Sequence, residues 1–163
     1  MVWDFVSEPK GSTYAQLLDF CSRHCSQVLL VVREWDWLEE EALETLEELR
    51  AYQVSATESS EWPGTKLLNE TATVYRYTMR PELLDILKYS ASGLFDWCEP
   101  AKPEDLCLLR DQDTPLLVSI SHEQDAYLEL TEHEFSKVSN ELPELAILLR
   151  PHVDTHYNRP SST

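Results

Sequence analysis

A chain of 163 residues, 42% hydrophobic and 10% aromatic, has the size and apolar content of a single domain that buries a core without disulfide staples. Thirty acidic side chains against 13 basic ones leave a formal net charge of −17, a field that excludes direct binding to nucleic acid or to anionic membranes and favours a basic protein partner. The opening Met1-Val2-Trp3-Asp4-Phe5 has no basic or apolar signal region, and no apolar run approaches the ~20 residues of a membrane span. The four cysteines, Cys21, Cys25, Cys98 and Cys107, are therefore expected as reduced thiols of a cytoplasmic protein.

Ser12 is placed to cap a first helix through Tyr14, Leu17, Leu18 and Cys21, which fall at helical spacing. Gln27 to Arg33 is β-branched and apolar, and predicts a buried strand. Trp35 to Tyr52 predicts the longest helix. Leu38, Ala42, Leu46 and Leu49 form its apolar stripe, and Glu40, Glu41, Glu44, Glu47 and Glu48 its polar one. Val54 to Pro63 is polar and ends in a Trp62-Pro63-Gly64 turn signal. Thr71 to Met79 predicts a strand, and Pro81 starts a helix with Gly93 as its stop signal.

Asp96 to Pro103 predicts a loop, followed by a three-stranded meander: Leu106 to Arg110, Leu116 to Ile120 and Ala126 to Leu130. Period-two alternation in its last two strands predicts one buried face and one that is wet or pairs with something. Thr131-Glu132-His133-Glu134 is a capping box that opens a further helix, and Pro143 starts a short one running to Leu148. The order of elements predicts an α+β fold: an antiparallel or mixed sheet that includes the C-terminal meander, with helices packed on one face. One domain is expected over residues 1–150, with a polar, flexible tail over 151–163.

Catalytic motifs are missing. With 3 glycines there is little material for a phosphate-cradling loop, and no G-x-S-x-G or H-E-x-x-H appears. Cys21, His24 and Cys25 would share a helix face, but no C-x-x-C half-site accompanies them, so no metal or cofactor is expected. His122, beside Glu123 and Asp125, offers a general base, with Cys107 on the neighbouring strand as a nucleophile. This pair is the enzymatic alternative.

The acidic ridge carries the leading expectation. Glu34, Asp36, Glu40, Glu41, Glu44, Glu47 and Glu48 crowd one segment, flanked only by Arg33 and Arg50. Like charges four apart on a helix cost a few tenths of a kcal/mol each, which favours a ridge kept for binding over one that is merely solvated. Trp35 and Trp37 supply aromatic anchors of the kind enriched at interface hot spots.

The stretches Pro103-Glu104-Asp105-Leu106-Cys107-Leu108-Leu109-Arg110 and Ile120-Ser121-His122-Glu123-Gln124-Asp125-Ala126-Tyr127, with the size and acidity of the chain, resemble small acidic bacterial immunity proteins of polymorphic toxin systems. That resemblance implies a non-enzymatic inhibitor that occludes the active site of a cationic toxin such as a nuclease. A DNA-mimic decoy differs from it only in the partner.

Overall fold

The computed structural model describes residues 1–154. Its apolar runs become strands that assemble into one large antiparallel sheet. In chain order the elements are β1 (Val2–Phe5), α1 (Ser12–Ser22), β2 (Gln27–Val32), α2 (Glu40–Leu49), β3 (Gln53–Ser59), β4 (Glu61–Trp62) and β5 (Thr65–Lys66). There follow β6 (Ala72–Thr78), α3 (Pro81–Ser90), β7 (Glu104–Leu109), β8 (Pro115–Ile120), β9 (Asp125–Glu129), α4 (Glu132–Glu141), α5 (Pro143–Ala146) and β10 (Leu149–Pro151). Eight strands pair in the order β10-β1-β9-β8-β7-β2-β6-β3, and β4 and β5 form a separate hairpin. The fold is α+β, and β7, β8 and β9 are the C-terminal meander.

The helices gather on one face. Leu17, Leu18 and Cys21 of α1, Leu83 and Leu87 of α3, and Val138 of α4 share a core with Val28, Leu30, Leu106 and Leu108 of the sheet. Trp97 is fully buried at the centre of this layer. Its Nε1 donates to the Tyr14 hydroxyl at 2.9 Å, and that hydroxyl donates to the Leu87 carbonyl at 2.6 Å. One hydrogen-bonded chain thus ties α1, the loop after α3 and the last turn of α3 together.

The second face of the sheet is also covered. Leu29, Val31, Val74, Cys107, Leu109 and Val118 pack beneath Trp62 of the β4–β5 hairpin. The whole of β7 and Leu116 to Ser119 of β8 are consequently buried. Of the two outcomes open to the second face of the meander, β8 takes the packed one, while β9 keeps an alternation of buried and part-exposed residues. A hairpin of two-residue strands that crosses over the sheet leaves no periodic signal in the sequence.

Four local expectations are corrected. The helix foreseen from Trp35 is interrupted: a 3₁₀ turn spans Trp35–Trp37, and Leu38 and Glu39 are extended before α2 begins. The Glu39 N–H donates instead to the Pro100 carbonyl at 2.9 Å. The polar segment after Tyr52 is β3, paired with β6 in the register Ala56↔Tyr75 and Thr57↔Val74. It is an edge strand with mostly exposed side chains, so it lacks the alternation that marks half-buried strands.

The N-cap of α1 is Gly11, at φ 58°, rather than Ser12. Gly93 does not cap α3; it is extended, and an added Cβ would meet Glu8 Oε1 at 2.8 Å. The sheet takes in the first residue of the segment read as tail. Pro151 pairs with Trp3, and the His152 N–H donates to the Val2 carbonyl at 2.9 Å. Main-chain bonding, which composition does not reveal, holds this end in place. Residues 155–163 of the expected tail lie outside the described residues.

Candidate functional site

Glu40, Glu41, Glu44, Glu47 and Glu48 all lie exposed on α2, because Ala42, Thr45 and Leu49 fix its buried side. Compensation of the ridge is greater than the sequence suggests. Lys102, a buried lysine from the loop before β7, reaches Glu41 at 2.8 Å and donates to Thr45 Oγ1 at 3.1 Å. Arg50 pairs with Glu47 at 3.5 Å, whereas Arg33 turns away to Glu70 at 3.6 Å. Glu40, Glu44 and Glu48 form no ion pair among the described residues. They stand four apart, so they align along one stripe of the helix.

Glu34 and Asp36, in the segment before α2, are exposed, and so are Trp35 and Trp37, at 45% and 54%. The two indoles part company. Trp35 Nε1 donates to Thr73 Oγ1 at 3.1 Å and its ring meets Tyr75 edge-on at a centroid distance of 6.2 Å. With Leu43, Leu46, Ala56, Gln53 and the Glu47–Arg50 pair it lines an open groove of about 430 Å³ between α2 and β3. The outer edge of β3 ends the sheet, so its main-chain donors and acceptors face outward beside this groove.

Trp37 lies over a smaller pocket of about 190 Å³ that the sequence reading did not foresee. Its floor is Glu104, whose side chain is completely buried. One oxygen, Oε1, lies 2.9 Å from His122 Nε2 and accepts from the Glu99 N–H at 3.3 Å. The other, Oε2, is buried without a hydrogen-bond partner. His122 Nδ1 in turn stands 3.8 Å from Cys98 Sγ. Burial, then the charge of neighbouring Glu99, pushes the Glu104 carboxyl up to about 8. Burial, then the charges of Glu104, Asp105 and Glu99, pushes the Cys98 thiol up to about 11.

The scaffold around these groups is held by carboxylates. Glu99 Oε1 accepts from the Arg33 and Glu34 N–H groups at 3.0 and 3.1 Å, fixing the segment that carries both exposed tryptophans. Asp105 adopts φ 55°, in the left-handed region, and turns its side chain back into the fold. Its Oδ1 accepts from the Ser121 N–H at 2.9 Å, and its Oδ2 from Trp62 Nε1 at 3.0 Å. Asp105 therefore anchors the 3₁₀ turn Ser121–Glu123 that carries His122.

His122 thus meets Cys98 rather than Cys107. Cys107 is fully buried among Leu29, Val31 and Val118, and burial pushes its thiol up to about 12. This corrects the Cys107–His122 pairing: strand adjacency was the correct inference, but the Cys107 side chain enters the core. Cys21 is likewise a core residue, while His24 packs against Phe20 at a centroid distance of 4.9 Å. The signal for the new cluster was present in Cys98-Glu99 and Glu104-Asp105: four polar or ionisable residues bracketing a loop that leads directly into an apolar strand. No family model, curated protein or solved structure matches the chain.

Proposed function

We propose that this protein is a non-enzymatic binding protein for a basic protein partner, acting as an inhibitor of a cationic toxin in the manner of an immunity protein. The observation that carries the reading is the juxtaposition of three features. Helix α2 carries the unpaired acidic stripe of Glu40, Glu44 and Glu48, and its Leu43 and Leu46 form one wall of the mixed groove that Trp35 and Ala56 of the edge strand β3 complete. The stripe steers a basic partner, the groove receives an apolar or aromatic anchor, and the edge offers main-chain hydrogen bonds. Uncompensated charge persists here although the rest of the helix recruits Lys102 and Arg50.

The test is capture from native lysate at low and at raised salt, with the wild-type chain, the Glu40→Lys/Glu44→Lys/Glu48→Lys variant and Trp35→Ala. The expected result is one stoichiometric basic protein, held at low salt, weakened at high salt and lost from both variants. No stoichiometric partner, or a partner retained equally by both variants, refutes the proposal. Cross-links from that partner to α2 and β3 locate the surface directly.

A further inference from the structure

We propose that Cys98, Glu104 and His122 form a three-ligand site for a transition-metal dication of the zinc class, with an open coordination position facing the pocket beneath Trp37. One ligand atom from each of the three side chains falls within a set whose members all lie within 4.8 Å of one another, and this is the one such group among the described residues. The spacing suits a small tetrahedral ion. Bond lengths of ~2.3 Å to sulfur and ~2.1 Å to nitrogen place those two ligands about 3.6 Å apart around a tetrahedral centre. Cys98 Sγ and His122 Nδ1 stand 3.8 Å apart; Glu104 Oε1 meets the other ring nitrogen, Nε2, at 2.9 Å, so it is Oε2 that is left to reach an ion held by Sγ and Nδ1.

A second observation points to a ligand independently. Glu104 is completely buried, yet its Oε2 has no hydrogen-bond partner. A buried carboxylate oxygen left bare is costly; the side chain beside it is Glu99, which relieves it only when the two carboxyls share a proton and repels it when both are ionised. Glu99 Oε1 is committed to two backbone N–H groups, and both Asp105 oxygens are committed to Ser121 and Trp62. The cluster therefore holds three carboxylates around one small volume, and the nearest arginine of the pocket, Arg33, is directed to Glu70. A dication satisfies the bare oxygen and offsets the accumulated negative charge in one step.

The ligand chemistry selects the class of ion. A thiolate, an imidazole and a carboxylate together suit Zn²⁺ and its surrogate Co²⁺, and are a poor set for Mg²⁺ or Ca²⁺, which require oxygen ligands. A cysteine-nucleophile triad from the same side chains is less well supported, because a reactive thiolate is opposed by three surrounding carboxylates. In the metal site the cation itself stabilises that thiolate, and the Cys98 proton leaves to solvent on binding. Three protein ligands with the fourth position open to a pocket is the arrangement of sites that hold a water or a small anionic group.

The experiment uses the purified full chain stripped with a chelator. Zn²⁺ is titrated by calorimetry, and Co²⁺ by absorption, where a thiolate-to-cobalt band reports the Cys98 bond. The expected result is 1:1 binding with a Kd in the micromolar range or tighter, undiminished by millimolar Mg²⁺. Cys98→Ser should abolish the thiolate band, and Cys98→Ser, His122→Gln and Glu104→Gln should each weaken Zn²⁺ by 10-fold or more. His24→Gln and Cys25→Ser should leave binding unchanged. Since Glu104 is a core position, the two more exposed variants, checked for native circular dichroism, decide the matter. Absent 1:1 binding, binding unchanged by both Cys98→Ser and His122→Gln, or binding lost instead in the His24 and Cys25 variants overturns the site.

Discussion

If the stripe on α2 is kept for binding, it should weaken the free protein, and Glu44→Lys measures by how much. Glu44 has Glu40 one turn before it and Glu48 one turn after it, and none of the three has a cation of its own. Each i,i+4 like-charge pair costs about 0.2–0.5 kcal/mol, and each opposite pair returns a similar amount. Reversing the central charge replaces two repulsions by two attractions, so four such terms sum to about 1–2 kcal/mol at low ionic strength. The i±3 neighbours, Glu41 and Glu47, already hold Lys102 and Arg50 and change little. Glu44→Gln, which removes the repulsions alone, should show about half the gain. The assay is urea denaturation in 20 mM and 500 mM NaCl. The gain should fade at high salt, since the pairs are exposed and screened. A Glu44→Lys variant no more stable than wild type at low salt, or a gain that salt leaves intact, refutes the idea of a strained ridge.

Asp105→Ala removes the acceptor of two buried donors, Ser121 N–H and Trp62 Nε1. At about 1–3 kcal/mol for each orphaned group, and with some relief of charge crowding on Glu104, it should cost about 2–4 kcal/mol in urea denaturation. Asp105→Gly should be less damaging than Asp105→Ala, because φ 55° suits glycine. Tyr14→Phe leaves Trp97 Nε1 without an acceptor and the Leu87 carbonyl without its donor. The expected loss is about 2–4 kcal/mol, read as a lowered midpoint with an unchanged denaturant slope.

Glu134→Gln tests the fold against pH. Burial opposes ionisation of Glu134, but the Arg110 guanidinium overcomes it and holds the carboxyl below its ordinary range. A depressed carboxyl stabilises the fold above its unfolded pKa of ~4.3, and that contribution vanishes as pH falls through the folded value. The variant should therefore be less stable by about 1 kcal/mol at pH 7, and the gap from wild type should close below pH ~4.

The acidic face of α2 was legible because amphipathic helices announce themselves by period, and the meander because its turns and apolar runs alternate. The Thr131 cap was also readable: its Oγ1 accepts the Glu134 N–H at 3.1 Å. What escaped was long-range. Nothing in Gln53–Ser59 distinguishes a polar loop from an edge strand, since its partner β6 supplies the pairing and its side chains face water. His122 and Cys98 are 24 residues apart and meet only because Asp105 turns back to hold the Ser121–Glu123 segment. The sequence places His122 beside the correct strand, but a backbone irregularity between Leu29 and Val31, opposite Glu104 to Cys107, breaks the alternation by which those two side chains would be assigned to faces. Such shifts reassign side chains between faces without changing composition.

The position of β1 between β9 and β10 has a consequence for synthesis. Val2 pairs with Glu129, and Trp3 with Pro151. At ~5–20 residues per second on the ribosome, β1 waits roughly 6–30 s for its neighbours. The β2–β6–β3 half of the sheet, with α1 to α3, can assemble meanwhile on contacts close in sequence. The nascent chain then carries β2 with one side open until β7 arrives, and β1 is seated only after β9 has been made. Shortening the chain past Leu149 would accordingly be felt at Trp3, almost 150 residues away in sequence.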